Sequence, residues 1–141
     1  MTEQEIEKLV SQFSDKSLPK EEWTHEAHIL VAIWHNWHFE FATALDMVRS
    51  KIISFNEAVG TENSDTSGYH ETMTVFWMRL TNNFLKSHRF EQVESACSEF
   101  LKSENALNSS PFKYYSMQKL FSLEARKHWV DGDIKSLEFI K

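Results

Sequence analysis

Only three glycines and two prolines occur among the 141 residues of this chain. Both residue types interrupt helices, and the tight turns of compact β folds usually need glycine. Their scarcity therefore predicts an all-helical protein. A chain of this length is expected to form one domain, residues 1–141, which is large enough to bury an apolar core without disulfides or structural metals.

Apolar residues recur at helical spacing along most of the chain, which predicts a single-domain bundle of about five to seven helices. The segment that follows Thr24 is apolar almost all round, as in a helix at the centre of a bundle. Thr24 and Ser122 are expected to be helix N-caps. The pattern predicts helices over residues 2–14, 24–38, 40–57, 69–86 and 90–103, shorter ones over 111–121 and 123–130, and an extended or frayed tail after Gly132.

Charge and composition narrow the choice of partners. The formal net charge is −6 at pH 7, which argues against nucleic acid and against an anionic membrane surface. No apolar run approaches the length of about 18 residues that a spanning helix needs. The single cysteine, Cys97, excludes an internal disulfide and fits a reducing compartment. The first residues, MTEQEIEKLV, do not resemble a secretion signal, so we expect a cytoplasmic location.

Two histidine-containing segments mark a candidate site. WTHEAHIL places His25 and His28 at the start of the second predicted helix, and GYHETMT places His70 and Glu71 at the start of the fourth. Short connections make neighbouring helices antiparallel, so the helix over 40–57 is expected to run back along the helix over 24–38. If the helix over 69–86 lies beside 40–57 and returns again, the two histidine-containing helices run parallel, with both N-termini at one end of the bundle. The polar loop 59–68 is unusually long for a bundle and is expected to be mobile and to cover this end.

The chemistry of these side chains suits a metal or a polar ligand. The positive end of a helix disfavours imidazolium and favours the neutral ring that binds metals. His25, His28 and His70 are therefore candidate ligands for a divalent zinc, iron, manganese or nickel ion. Glu71 fits either a fourth ligand or a catalytic base that activates a metal-bound water. The same residues also fit a metal-free pocket, or a structural cluster that caps the bundle.

Other polar residues extend the candidate site. Tyr69, Tyr115 and Arg126 are candidate ligand-binding residues, because hydroxyl groups and a guanidinium bind polar molecules. Arg126 equally fits an internal ion pair with a carboxylate. His35 and His38 repeat the three-residue spacing of the first pair, but histidines near the end of a helix are also favoured by the helix dipole.

Three segments together resemble a family of small uncharacterised bacterial proteins. The family carries aromatic-x-His-x-x-His-Leu, Tyr-His-Glu-Thr and Tyr-Ser…Ser-x-Glu-Ala-Arg motifs, and the resemblance spans roughly residues 18–135. Ile29 replaces the leucine of the first motif, and Asp131-Gly132-Asp133 stands where an acidic-Pro-Asp step is expected. The resemblance implies a shared site but supplies no reaction. The matching positions are Trp23, His25, His28, Tyr69, His70, Glu71, Thr72, Thr74, Tyr115, Ser116, Ser122, Glu124, Ala125 and Arg126.

Two classes of function follow from the sequence. In the first, a pocket at the converging helix N-termini binds a divalent metal or a small polar ligand, and the protein is an enzyme or a metal-binding domain. In the second, the protein is a non-catalytic interaction or structural module, and the histidines only cap the bundle. Neither class fixes a reaction, and the expected partner in the first is a small molecule or a metal ion.

Overall fold

The computed structural model describes residues 1–138, and over that range the protein is helical with no strand. The described residues form seven α-helices and three short 3₁₀ turns. The α-helices are α1 (Glu3–Asp15), α2 (His25–His38), α3 (Phe41–Ala58), α4 (Glu71–Ser87), α5 (Val93–Lys102), α6 (Met117–Leu120) and α7 (Leu123–Lys127), and the 3₁₀ turns are Lys20–Glu22, Glu104–Ala106 and Ser110–Lys113. The all-α prediction is confirmed.

Helix α2 lies at the centre and packs against α1, α3, α4 and α5. Ile29, Leu30, Val31 and Ile33 are each at most 1% exposed, which confirms that this helix is buried nearly all round. Burying one such side chain fully stabilises the fold by roughly 1.5–3 kcal/mol. The hydroxyl of Thr24 accepts the amide N–H of Ala27 over 3.2 Å, which confirms the predicted N-cap and fixes where α2 begins.

The C-terminal part departs from the predicted pattern. The helix expected over 111–121 divides into a 3₁₀ turn and the short α6, which begins at Met117 after its N-cap Ser116. The Ser116 hydroxyl caps α6 by accepting the N–H of Lys119, and it also donates to the carboxylate of Asp133 over 2.6 Å. The Ser122 hydroxyl accepts the N–H of Ala125 over 3.1 Å, so this predicted cap is confirmed.

The tail after Gly132 is anchored to the domain as far as it is described. Leu137 is 1% exposed, and the backbone N–H of Ile134 donates to the carbonyl oxygen of Tyr114 over 2.9 Å. The segment is not helical, as predicted, but it is docked and not frayed; residues 139–141 lie outside the described residues. None of the described helices is long and apolar enough to cross a membrane.

Candidate functional site

A cavity of about 620 Å³ lies where the first turns of α2 and α4 meet. His25 and His28 from α2 line it together with Met73 and Thr74 from α4, so the two helix N-termini converge as the sequence predicts. This volume is within the ~300–1,000 Å³ that small-molecule sites usually have. The wall is completed by Trp23, Ala32, Val48, Ile52, Asn56, Thr61, Gly68, Tyr69, His70, Trp77, Met78, Asn108, Phe121 and Arg126.

His28 is fixed by a backbone carbonyl and an aromatic neighbour. Its ring stacks on Trp23 with the ring centroids 3.7 Å apart, and its Nδ1–H donates to the carbonyl oxygen of Thr24 over 2.7 Å. The neutral ring therefore keeps its lone pair on Nε2. Burial lowers the pKa of His28 to about 4, so this side chain is neutral near pH 7.

His25 ties the start of α2 to the C-terminal part of the chain. Its Nε2–H donates to the carbonyl oxygen of Ala106 over 2.7 Å, and its ring meets Trp77 edge-on with the centroids 5.0 Å apart. In the neutral form of His25 the lone pair is therefore on Nδ1. No sequence pattern indicates the Ala106 contact, because it joins residues 81 positions apart.

His70 is the N-cap of α4. Its Nδ1 accepts the backbone N–H of Met73 over 3.1 Å, and its Nε2–H donates to the carbonyl oxygen of Leu120 over 2.8 Å. Burial lowers the pKa of His70, which favours this neutral tautomer. Both ring nitrogens are engaged by backbone groups, so binding a metal through His70 would require one of these hydrogen bonds to break.

The three predicted metal ligands all line the cavity, but they differ in whether a ring nitrogen is free to bind a metal. No group of three or more histidine, cysteine or carboxylate side chains within residues 1–138 is arranged to hold a metal ion. His25 and His28 each keep one ring nitrogen without a hydrogen-bond partner in that range, whereas His70 keeps none. The metal site predicted from these three residues stays a prediction.

Glu71 belongs to an ion-pair network and is not part of the cavity wall. Arg49 of α3 donates from Nε and Nη2 to its two carboxylate oxygens over 2.9 and 2.7 Å. The hydroxyl of Tyr69 donates to Oε1 over 2.5 Å. Burial raises the pKa of Glu71, but the hydrogen bonds from Arg49 and Tyr69 outweigh that effect and lower it on balance. This environment suits a carboxylate that positions Tyr69 better than one that accepts protons; the catalytic role stays a prediction.

Arg49 was missed by the sequence reasoning. It lies within a predicted helix, 22 residues before Glu71, and nothing in the sequence distinguishes it from an ordinary surface arginine. The pair forms because α3 packs against α4. The one usable sequence signal was a carboxylate in the first turn of α4, which marks a helix start as readily as an ion pair.

Tyr115 does not reach the cavity, which corrects its assignment as a pocket residue. Its side chain is fully buried, and its hydroxyl donates to the carbonyl oxygen of Val130 over 2.5 Å. Phe76 and Trp129 pack against its ring edge-on. Tyr115 therefore holds the C-terminal segment to the core, because a buried hydroxyl must find a partner and Val130 supplies it.

Arg126 lines the cavity, as predicted, but without the carboxylate partner that the sequence also allowed. Its Nη1 donates to the carbonyl oxygens of Gly68 and Tyr69, each over 3.2 Å. Within residues 1–138 its guanidinium forms no salt bridge. Arg126 is also the only Lys, Arg, Asp or Glu side chain among the described residues that line the cavity.

The loop between α3 and α4 forms part of the wall, and Asn63 organises it. The Asn63 side-chain oxygen accepts from Asn56 Nδ2 and from the backbone N–H of Tyr69, each over 2.9 Å, and its Nδ2 donates to the carbonyl oxygen of Ile53. The loop therefore lies at the cavity, as predicted, with an internal hydrogen-bond framework; its predicted mobility stays a prediction.

Gly68 closes this loop in a conformation that only glycine accepts. Its φ is +77°, and a Cβ atom there would lie 2.4 Å from the carbonyl oxygen of Glu62 and 2.6 Å from the side-chain oxygen of Asn63. The carbonyl group of Gly68 is also one of the two acceptors for Arg126. This glycine therefore couples the shape of the loop to the position of the guanidinium.

No protein-family model, curated protein or solved structure matches this chain. The resemblance to a bacterial family therefore stays a prediction, and functional inference depends on the geometry of the cavity.

Proposed function

We propose that the cavity binds a small organic anion, namely a monocarboxylate with a flat apolar body. One observation carries this proposal: the charged side chain of Arg126 lies in the cavity wall and forms no salt bridge with the described residues. A guanidinium presents five N–H donors in a planar fork that matches a carboxylate. The hydrogen bonds of Arg126 to Gly68 and Tyr69 come from Nη1, which leaves Nε and Nη2 for a ligand.

The charge of the wall favours one negative charge on the ligand and not two. Arg126 is the permanent cation of the described wall, and no Asp or Glu side chain lines the cavity. Burial holds the pKa of His28 near 4 and lowers that of His70, so neither ring adds a positive charge near pH 7. A dianionic phosphate ester would leave one negative charge unpaired at a partly desolvated site, which is costly.

The rest of the wall favours an apolar, flat body on the ligand. Trp77 adds aromatic surface to the wall, and Met73 and Met78 provide adaptable side chains that fill irregular space. Val48 and Ile52 of α3 add aliphatic surface. A ligand with an aromatic or planar aliphatic body would lie against Trp77 and the two methionines and place its carboxylate at Arg126.

The test compares the binding affinity of aromatic carboxylates with that of their uncharged amides. Suitable pairs are phenylacetate with phenylacetamide and indole-3-acetate with indole-3-acetamide. Affinity is measured by quenching of tryptophan fluorescence and checked by calorimetry. We expect each carboxylate to bind at least about tenfold more tightly than its amide, since a charge-assisted bidentate contact contributes roughly 1.5–3 kcal/mol.

Two variants make this test specific. Arg126→Gln should remove the preference for the carboxylate, and Arg89→Gln, which changes an exposed arginine outside this cavity, should keep it. Equal binding of carboxylates and amides by the natural protein would refute the proposal, and so would an unchanged preference in Arg126→Gln.

A metal-assisted form of the same site is the second candidate. His25 and His28 both donate one ring N–H to a backbone carbonyl, which is the arrangement that usually orients a histidine ligand. Two imidazoles would leave coordination positions for a bound carboxylate and water, on a zinc, iron, manganese or nickel ion.

Elemental analysis of protein purified without a histidine tag tests this second form. Bound metal that is lost in His25→Gln and His28→Gln, and that raises the melting temperature of the natural protein, would support it. His70→Asn is the matched control, because asparagine can also cap a helix. Loss of metal in His70→Asn alone would contradict the two-histidine arrangement.

A further inference from the structure

A second cluster of basic groups lies away from the cavity, near the C-terminal end of α2. His35 is fully buried, and its Nδ1–H donates to the carbonyl oxygen of Val31 over 2.8 Å. This bond fixes the tautomer and leaves the lone pair on Nε2. That nitrogen accepts a hydrogen bond from the Nζ of Lys51 over 2.8 Å.

Lys51 is unusual because its amino group contacts an imidazole and not a carboxylate. Within residues 1–138 it forms no salt bridge, and the positions three and four residues away on α3 carry no acidic side chain. Its side chain is partly buried, so reagents can still reach it. The titratable groups that act on this pair are His35, Lys51 and the exposed His38.

These surroundings disfavour the ammonium form. An ammonium group that is removed from water normally gains a carboxylate partner, and here the acceptor is a neutral ring nitrogen. Burial lowers the pKa of Lys51, and burial also lowers the pKa of His35 to about 4. A larger fraction of Lys51 is therefore the free amine near neutral pH than for an ordinary exposed lysine.

We propose that Lys51 is a nucleophilic amine and the preferred site of acylation in this protein, with His35 as the residue that positions it. The acyl donors that fit are small activated ones, such as an acyl phosphate or a thioester. Nζ attacks the carbonyl carbon, a carbon–nitrogen bond forms, and the bond to the leaving oxygen or sulfur breaks with its electron pair. The surplus proton on nitrogen passes to solvent, and the product is an amide.

This proposal is independent of the anion cavity, because neither Lys51 nor His35 lines that cavity. His35 holds one N–H of the amine, so the nitrogen is kept at a fixed place between α2 and α3. The rings of Trp34 and Phe39 pack against that of His35, with centroids 4.9 and 6.4 Å from it.

The experiment is competitive labelling with a trace of acetyl phosphate across a range of pH, with peptides quantified by mass spectrometry. The same lysine in protein unfolded by guanidinium chloride is the internal reference. In the folded protein we expect Lys51 to be acetylated several-fold faster than in the unfolded chain near neutral pH, with its midpoint below the ordinary lysine value. The exposed Lys16 and Lys86 should show no such enhancement.

Variants of His35 test whether this residue positions the amine of Lys51 or whether the fold as a whole raises its reactivity. His35→Leu removes the acceptor and should abolish the enhancement, and His35→Gln, which keeps an acceptor oxygen, should restore part of it. Circular dichroism shows whether each variant is folded. Acetylation of Lys51 in the natural folded protein at or below its rate in the unfolded chain would overturn the proposal, and so would an unchanged midpoint.

Discussion

The two ends of α2 carry the same histidine spacing and have different roles. His25 and His28 open the helix and line a cavity, while His35 is fully buried and His38 is exposed. Each of the first three rings fixes its tautomer on a backbone carbonyl. The spacing therefore sets which side of the helix a ring occupies, and the neighbouring segments decide whether the ring meets a ligand, an amine or water.

The largest expected effect comes from replacing His35 near the C-terminal end of α2. His35→Ala should lower the free energy of unfolding by roughly 2–4 kcal/mol, because it leaves a cavity in the core and removes the acceptor of Lys51. His38→Ala is the matched control at the same spacing and should change it by less than about 0.5 kcal/mol. Urea denaturation measures the free energy of unfolding of both variants. Similar losses of stability in the two would contradict the different roles that the burial of His35 and the exposure of His38 indicate.

The next effect concerns the loop at the cavity end. Gly60 and Gly68 both have a positive φ, but a Cβ at Gly60 meets nothing within 4 Å, whereas one at Gly68 overlaps the backbone of Glu62 and Asn63. Gly60→Ala should cost about 1–2 kcal/mol from backbone strain alone. Gly68→Ala should cost more, and it should also weaken carboxylate binding by moving the acceptors of Arg126.

Thermal melting and the fluorescence assay together test this pair. Equal stability losses, with ligand binding intact in both variants, would show that the loop adapts and does not shape the site.

A smaller effect is expected from the ion pair behind the cavity. Glu71→Gln should lower stability by about 1–2 kcal/mol at neutral pH, because it weakens a charge-assisted pair whose side chains are 32% and 16% exposed. Asp46→Asn removes the other partner of Arg49, which is 77% exposed, and should cost less than about 0.5 kcal/mol.

The pH dependence gives the sign of the Glu71 contribution. Its pKa is lowered in the folded state, so its stabilisation is complete above the unfolded value of 4.5 and is lost as the pH falls through the folded value. The difference between the natural protein and Glu71→Gln should therefore shrink in acid. A difference that stays constant down to the acid transition would argue against an ionised pair.

The smallest expected effect is the loss of stability in acid that comes from the lowered pKa values of His28 and His35. His28 and His35 both have a pKa lowered to about 4, so the unfolded chain binds protons first and stability falls as the pH drops from about 6.5 towards 4. For His28 we expect a loss of about 1 kcal/mol near pH 5 after allowing for water in the cavity.

A bound carboxylate sharpens the contrast between these rings. NMR titration of the ring protons should show the pKa of His28 rising in the presence of phenylacetate, because a negative charge then lies in the same cavity, while that of His35 stays unchanged. Parallel shifts of both rings would indicate a global change and not a ligand at the cavity.

Much of the fold could be predicted because its determinants are local. Helical spacing of apolar residues identified the five long helices, and the hydroxyls of Thr24 and Ser122 marked helix starts because a cap joins residues three apart. The convergence of the α2 and α4 N-termini followed from the short connection between α2 and α3 and from the return of α4 beside α3, and the shared cavity bears it out. The C-terminal helix was overestimated, because Asp133 stabilises a new start at Ser116 from outside the helix.

The sequence by itself determined that this chain is helical, where α2 is capped, and that polar side chains gather at one end of the bundle. Only the tertiary structure decided what those side chains do. It paired Glu71 with Arg49 and buried Tyr115 against Val130. It used Nδ1 of His70 as a helix cap, bonded its Nε2–H to Leu120, and left Arg126 without a described carboxylate partner in the wall. The physical reason is range: helix periodicity and caps join residues within one turn, whereas hydrogen-bond partners and charge pairs join residues that meet only when the helices pack.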